Sequence, residues 1–174
     1  EWWFADGEAG PDVAFERYSI YNPTENDVTV TADFWGITDP EFVGYSTWTV
    51  PAGNVISFTT AEFDGVPEGR HGMTFATEGD EAIVVERGIT RRAGDTGFAT
   101  TVVFGAPLVF TGYNRWSMAI GTDLAVDNVL AVMNLDFLDG TVTVKALGPG
   151  GEVAIPGLEA VPLPKSGVIT IAIP

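Results

Sequence analysis

Apolar and polar residues alternate with a period of two over residues 28–35, which read Val-Thr-Val-Thr-Ala-Asp-Phe-Trp. The even-numbered positions are all apolar, whereas the odd-numbered positions are polar until Trp35. Side chains of a β-strand point alternately to its two faces, so this pattern is typical of a strand with one buried face. The sequence therefore predicts a half-buried strand here.

Similar β-rich runs recur along the chain, separated by turns that contain Gly, Pro, Asn or Asp. Long helical periodicity is absent, and residues 60–63 are expected to form at most one helical turn. Short strands at this spacing favour an all-β fold of Greek-key sandwiches. We predict further strands at residues 13–21, 46–50, 55–60, 71–77, 82–87, 98–104, 126–133, 141–147, 152–155 and 167–173.

The chain contains an internal repeat, in which matching residues keep an almost constant separation. The clearest matches are Trp2 with Trp116 (114 residues apart), Asn22 with Asn134 (112 residues) and Val55 with Val168 (113 residues). Small changes in separation are what loop insertions between matching strands produce. We therefore predict two tandem immunoglobulin-like (Greek-key) β-sandwich repeats, at residues 1–110 and 111–174.

The second repeat is predicted to be incomplete. The first repeat continues through the strands predicted at 71–77, 82–87 and 98–104, whereas the second reaches only Pro174. A sheet edge without its neighbour is prone to pair with another strand. We expect completion by the first repeat, by further chain or by a strand from a neighbouring subunit. The assembly edge is predicted on the last strand, at Val168, Ile169, Ile171 and Ile173.

The amino-acid composition of the chain limits the classes of partner and site that it is expected to have. The 24 acidic and 8 basic residues give a net charge of −16, which disfavours nucleic acid and anionic membrane surfaces as partners. No run reaches the roughly 18 apolar residues that a membrane helix needs. The absence of cysteine excludes disulfides, thiolate metal sites and cysteine nucleophiles.

Candidate catalytic residues are few. The single histidine, His71, lies beside Arg70 and is expected to be a surface or turn residue. Acid pairs such as Asp33 with Asp39, or Asp136 with Asp139, could in principle hydrolyse glycosides. Most acids fall in predicted turns, where they serve solvation and backbone capping, so we do not expect an enzyme. Arg87 is expected to pair with a partly buried acid, on a strand buried on both faces.

Acidic turns offer an alternative as calcium ligands, because Ca²⁺ binds six to eight oxygen atoms, often from loops. The candidates are Glu78, Asp80, Asp136 and Asp139. Their spacing does not match the Asp-x-Asp-x-Asp-Gly loop, and ordinary hairpin turns are the simpler interpretation. We expect no cofactor, with calcium as the alternative.

The tryptophans could form a ligand platform if they were exposed. Trp2 and Trp116 occupy matching positions in the two repeats, and Trp48 is in phase with apolar Val50, so these three are expected in cores. Trp3 and Trp35 lack these features. They are the weak candidates for an exposed platform that binds polysaccharide.

Several short motifs occur in a fixed order, namely Trp-Trp-Phe-Ala-Asp-Gly at 2–7, Tyr-Asn-Pro at 21–23, Val-Pro-Ala-Gly at 50–53 and Ile-Val-Val-Glu-Arg-Gly at 83–88. This order resembles the repeat of large bacterial and archaeal surface proteins grouped as domain of unknown function 5719. The resemblance covers residues 2–110 and part of 114–174. It implies extracellular β-sandwich modules without assigned catalytic residues. The second copy departs from it, since Leu135 replaces the proline that would follow Asn134.

Together these features predict a non-enzymatic, extracellular or cell-surface structural module. A specific version is a subunit of a filament or surface layer, joined by strand complementation. Its partners would be copies of itself or further repeats of the same chain. The alternative is a carbohydrate-binding or adhesin module that uses exposed tryptophan and acidic loops.

Overall fold

The computed structural model describes residues 1–10, 13–36, 42–63, 66, 68–79, 81–93, 97–104, 106–107 and 128–173. Within these residues the chain is all-β, with one 3₁₀ turn at Thr60–Glu62 and no helix long and apolar enough to cross a membrane. The strands are β1 (Trp2–Ala9), β2 (Val13–Tyr21), β3 (Val28–Gly36), β4 (Phe42–Val50), β5 (Val55–Thr59), β6 (Gly69–Thr77), β7 (Val84–Ala93), β8 (Gly97–Phe104), β9 (Ala106–Pro107), β10 (Asn128–Met133), β11 (Gly140–Val142), β12 (Lys145–Gly148), β13 (Gly151–Ala154), β14 (Val161–Leu163) and β15 (Val168–Ile173).

The first nine strands, called the first unit below, form two antiparallel sheets. Sheet A has the order β4-β3-β6-β1-β9, and sheet B has the order β5-β2-β7-β8. The inward faces of the two sheets share one hydrophobic core, so the unit is a β-sandwich. The buried core residues are Phe4, Tyr18, Ile20, Val28, Val30, Ala32, Phe34, Val50, Phe58, Met73, Phe75, Ile83 and Val85.

Aromatic side chains fill the centre of this core. Phe58 stacks on Trp48, with ring centroids 4.5 Å apart, and on Tyr18 at 5.8 Å. Phe4 meets both Tyr18 and Phe75 edge-on. Full burial of one such side chain contributes about 1.5–3 kcal/mol, so this cluster is a large share of the driving force for the sandwich.

The alternation predicted for residues 28–35 is confirmed. Val28, Val30, Ala32 and Phe34 are buried, whereas the odd-numbered positions are half-buried on the outer face of sheet A. The prediction that β7 is buried on both faces was wrong. Ile83, Val85 and Arg87 are buried, but Val84 is exposed because the outer face of sheet B carries no further layer among the described residues.

Residues 128–173, called the second unit below, form a series of nested antiparallel pairs. β10 pairs with β15, β11 with β14, and β12 with β13. The single strand predicted at 141–147 is broken, because the Val144 N–H donates to the Leu158 carbonyl (2.9 Å) instead of continuing a ladder. The boundary predicted near residue 110 lies outside the described residues.

The two units meet on the outer face of sheet A. A Cβ atom placed on Gly72 of β6 would lie 2.9 Å from Val168 Cγ2 and 3.2 Å from Met133 Sδ. Glycine is therefore needed there for the close approach of β10 and β15. β10 also lies near β1, although the two strands do not pair.

Candidate functional site

A buried asparagine organises the corner at which β2 leaves sheet B and β3 enters sheet A. Asn22 is fully buried, and its Nδ2 group donates to the carbonyls of Asn26 (2.8 Å) and Val50 (3.0 Å). Its Oδ1 atom accepts from the Thr24 N–H at 2.9 Å. The side chain thus ties the β2–β3 turn to the end of β4, because it satisfies backbone groups from both segments.

The second unit contains the same corner at the matching residue. Asn134 Nδ2 donates to the carbonyls of Leu138 (2.9 Å) and Pro164 (3.0 Å), and Asn134 Oδ1 accepts from the Asp136 N–H at 2.9 Å. In the two corners, each hydrogen-bond partner is separated from its asparagine by the same, or nearly the same, number of residues. The equivalence that we predicted for Asn22 and Asn134 is therefore present in the hydrogen bonds.

An acidic residue completes each corner. The sequence reasoning named Asp139 as a turn residue but missed Asp27 and the role that the two aspartates share. Asp27 Oδ1 accepts from the Ala52 N–H (3.0 Å), and Asp139 Oδ1 accepts from the Lys165 N–H (2.9 Å). The available signal was the spacing, since each aspartate follows its asparagine by five residues.

Strand pairing repeats in the same register. β2 pairs with β5 as β10 pairs with β15, and β3 pairs with β4 as β11 pairs with β14. Tyr18 opposite Phe58 corresponds to Leu130 opposite Ile171, and Val28 opposite Val50 corresponds to Gly140 opposite Leu163. We call β2–β5, and its counterpart β10, β11, β14 and β15, the four-strand motif.

The two copies of the four-strand motif differ in their neighbours. In the first unit β6 pairs with the other edge of β3, and β7 pairs with the other edge of β2. Among the described residues, β11 and β10 have no such neighbour. Val142 and Leu163 are consequently only half-buried, whereas their counterparts Val30 and Val50 are fully buried. The edges of β10 and β11 that have no partner in the described part of the chain are called the open edges of the second unit.

The structure places the predicted assembly residues on β15. Val168 and Ile171 are buried, and Ile169 and Ile173 are half-buried. Val168 contacts the first unit near Gly72. β15 also corresponds to β5, which ends sheet B in the first unit. Within the described part of the chain, β10 and β11 each lack one neighbour that their counterparts β2 and β3 have, whereas β15 pairs on one side as β5 does.

A buried group of ionisable residues lies at one end of the first unit. His71 Nε2 is 2.8 Å from Glu16 Oε2, and both side chains are fully buried. The Tyr18 hydroxyl donates to Glu16 Oε1 at 2.9 Å, and Arg87 Nε lies 4.0 Å from the same oxygen. Burial, followed by the Glu16 charge, raises the pKa of Tyr18 well above its ordinary value, which keeps its proton available for this bond.

The group reaches the surface at an irregularity of β1 between Phe4 and Gly7. Asp6 there lies 3.1 Å from Arg70 and 3.8 Å from Arg87. A Cβ atom on Gly7 would collide with the His71 imidazole, so glycine leaves the space that this ring fills.

The structure bears on two predictions about this buried group, one for Arg87 and one for His71. Arg87 does pair with buried or partly buried acids, as predicted. The prediction that His71 is a surface or turn residue was wrong, because it is fully buried in β6. Met73 and Phe75 share its face, so the period of two already indicated that His71 points inward.

The predicted ligand platform lies on the outer face of sheet A. Trp3 is opposite Thr74, and Trp35 is opposite Gly72. Both indoles are half-buried rather than exposed. They flank the position at which Met133 and Val168 approach sheet A.

The structure describes three of the four predicted calcium residues. Glu78 is exposed beside the end of β6, and Asp136 and Asp139 are exposed in the second corner, where they serve the turn. Asp80 lies outside the described residues, as do Asp39 and Trp116. Within the described part of the chain, no group of three or more His, Asp or Glu residues could hold a metal ion.

Comparison with known proteins adds a likeness of fold. No protein-family model matches the chain, and no curated protein matches it. The chain is similar to a solved structure described as the crystal structure of Thermotoga maritima 1070. The two superpose with a TM-score of 0.52 at 14% identity, over 60% of this chain and 90% of that one. At this identity the likeness shows a common fold alone.

Proposed function

We propose that the chain is a non-enzymatic structural module of an extracellular or cell-surface protein, and that it assembles by strand complementation at its second unit. The observation that carries this proposal is the second four-strand motif. It keeps the corner and register of the first motif but lacks the neighbours of β2 and β3 among the described residues.

Strand addition suits this geometry. A free sheet edge presents a row of unpaired backbone N–H and C=O groups, and an added strand satisfies them while its alternate side chains fill the core. In the second unit the core-facing residues Leu130, Val132 and Val142 are half-buried, whereas their counterparts Tyr18, Ile20 and Val30 are fully buried. An added strand would therefore bury apolar area in addition to forming backbone hydrogen bonds.

Exposed apolar residues on the second unit also support an assembly role. Phe137 is 82% exposed and Leu138 71% exposed, in the loop of the second corner. The first corner has Glu25 and Asn26 at the matching positions. Clustered apolar exposure of this kind is typical of protein interaction sites.

The proposed extracellular location is supported by the resemblance to surface-protein repeats and by the acidic composition. A net charge of −16 keeps single modules soluble and opposes binding to nucleic acid.

Sedimentation velocity over a concentration series tests the proposal. We expect association that is weakened at least ~10-fold, or about 1.4 kcal/mol, by Val142→Asp, which places a charge on the core-facing side of β11. Thr141→Asp is the matched control, because Thr141 is exposed on the opposite face of the same strand. A monomer at every concentration, or equal effects of the two substitutions, would contradict strand complementation.

Carbohydrate binding is the second candidate, and one observation favours it. Tyr45 is 68% exposed and lies opposite Asp33 on the outer face of sheet A, the face that also carries Trp35. Exposed aromatic rings stack on sugars. Retention on immobilised polysaccharide that is lost on Trp35→Ala or Tyr45→Ala, but kept in the exposed control Tyr21→Ala, would favour this candidate over assembly.

A further inference from the structure

We infer that the partner of the open edges is a β-arch from another repeat of the same type, and that the second unit selects an arch without the buried charges of the first. A β-arch here means two strands joined by a connection that crosses from one sheet to the other. This inference rests on the proposed function, and it specifies the chemistry of the partner.

The first unit shows what covers these edges. β6 pairs with β3 in sheet A and β7 pairs with β2 in sheet B, so the chain passes from one sheet to the other between these two strands. Since the second four-strand motif has the same register, the matching arch would place one strand along β11 and the other along β10. Its second strand would bring an apolar residue opposite Val132, as Val85 lies opposite Ile20.

His71 of β6 and Arg87 of β7 depend on partners that residues 128–173 lack. In the first unit, buried His71 lies against Glu16 Oε2, and buried Arg87 lies near Glu16 Oε1, which also accepts from the Tyr18 hydroxyl. In the second unit, the register positions of Glu16 and Tyr18 are occupied by Asn128 and Leu130.

An arch with histidine and arginine at those positions would bury two cationic or strongly polar groups without a carboxylate. An unpaired buried charge is strongly unfavourable, whereas an apolar residue of similar size is tolerated. The second unit therefore favours an arch with neutral or apolar residues at the positions of His71 and Arg87. The same difference disfavours exchange of the first unit's own β6–β7 segment into the second unit.

Two synthetic peptides test this selectivity. One has the sequence of residues 69–93, and the other has the same sequence with His71→Leu and Arg87→Leu. Each is titrated into the full chain at 0.15 M salt, with binding followed by calorimetry and by amide exchange. A scrambled peptide of equal composition is the control for non-specific association.

We expect the substituted peptide to bind at least ~10-fold more tightly than the natural peptide, and to slow exchange at 129–133 and 140–142. Val142→Asp in the full chain should abolish this binding, and Thr141→Asp should leave it unchanged. Equal affinity of the two peptides, or protection elsewhere, would overturn the inference. If neither peptide binds while the chain still associates through Val142, the inferred partner is wrong and the proposed function stands. If the chain also fails to associate, both the inferred partner and the proposed function are wrong.

Discussion

Two buried asparagines carry the clearest information at the scale of single residues. Asn22 and Asn134 each donate to carbonyls of two separate segments and accept from a backbone N–H two residues ahead. An aliphatic residue could make none of these bonds. The asparagine is therefore required by the backbone of the corner, and its recurrence in the sequence reports a recurring backbone geometry.

Removal of the first of these side chains should destabilise the sandwich. We expect Asn22→Ala to lower the free energy of unfolding by about 2 kcal/mol, because buried backbone groups lose their partners. Asn26→Ala is the control, since its side chain is exposed and only its backbone joins the corner. Urea denaturation measures both, and equal small effects would show that the corner does not depend on the amide. Asn134→Ala should instead accelerate amide exchange locally at 134–139 and 163–167.

The Glu16–His71 pair should behave as a coupled buried group. Glu16→Gln removes the carboxylate that faces His71 and Arg87, and we expect a loss of roughly 3–5 kcal/mol in the free energy of unfolding. In the double variant with His71→Gln, the loss should be smaller than the sum of the single losses. The exposed pair Lys145–Glu152, at 2.9 Å, is the comparison, and Glu152→Gln should cost at most about 1 kcal/mol. Additive losses at Glu16 and His71 would contradict the coupling.

Asp33 gives a dependence of stability on pH. Burial raises its pKa, and the hydrogen bond from Thr74 opposes this shift. Because the folded pKa lies above the unfolded one, the folded state holds this proton more tightly. Its contribution to stability is therefore greatest at low pH and is lost as the pH rises through the folded pKa.

Replacement of the Asp33 carboxyl by a neutral amide should remove the loss of stability that occurs as the pH rises. We expect Asp33→Asn to raise the melting temperature relative to the natural chain at pH 7, with the difference shrinking below about pH 4, near the unfolded pKa of aspartate. Glu25→Gln at an exposed site is the control. A gain that does not vary with pH would contradict this assignment to ionisation.

At the scale of elements, the sequence predicted strand positions well where the two faces differ in polarity. The predicted bounds of β2 match the structure, and β3, β5 and β6 agree within two residues. Two of the failures have specific causes. β14 was missed because Leu163 was assigned to a turn with Pro164 and Lys165. β14 also contains Pro162, which is tolerated because, among the described residues, this strand pairs on one side only. The break between β11 and β12 depends on the distant Leu158 carbonyl, which no local pattern encodes.

The candidate site was predicted only in part, because some of its features depend on contacts between residues that are distant in sequence. The repeat spacing revealed Asn22 and Asn134, and the missing strands indicated an open edge. The strand that bears the open edge could not be chosen without the pairing order of the sheets. Likewise, Glu16, His71 and Arg87 lie far apart in sequence, and only the register of β2, β6 and β7 brings them together.

The packing of the two units against each other depends on one glycine. We expect Gly72→Ala to push β10 and β15 away from sheet A, because its Cβ atom would collide with Val168 and Met133. Amide exchange at 128–133 and 168–173 should then become faster, and Val168→Ala should partly restore protection. Gly44→Ala is the matched control, since a Cβ atom there meets nothing within 4 Å. Unchanged exchange in the first variant would show that the units do not pack through this contact.

At the scale of the whole molecule, the chain is asymmetric. The first unit is a sandwich whose four-strand motif is covered by β6 and β7, and the second repeats that motif with two open edges among the described residues. The four-strand motif thus occurs twice. In the first unit it is part of the stable sandwich, and in the second unit, as we propose, it serves assembly.

Amide hydrogen exchange at increasing protein concentration tests the central claim most directly. At low concentration, we expect the amides of 129–133 and 140–142 to exchange much faster than their counterparts at 17–21 and 28–30. At high concentration, the same amides should become protected as strands are added, while the first unit stays unchanged. Equal protection of the two four-strand motifs at every concentration would contradict the account, because the second unit would then have no open edge to complete.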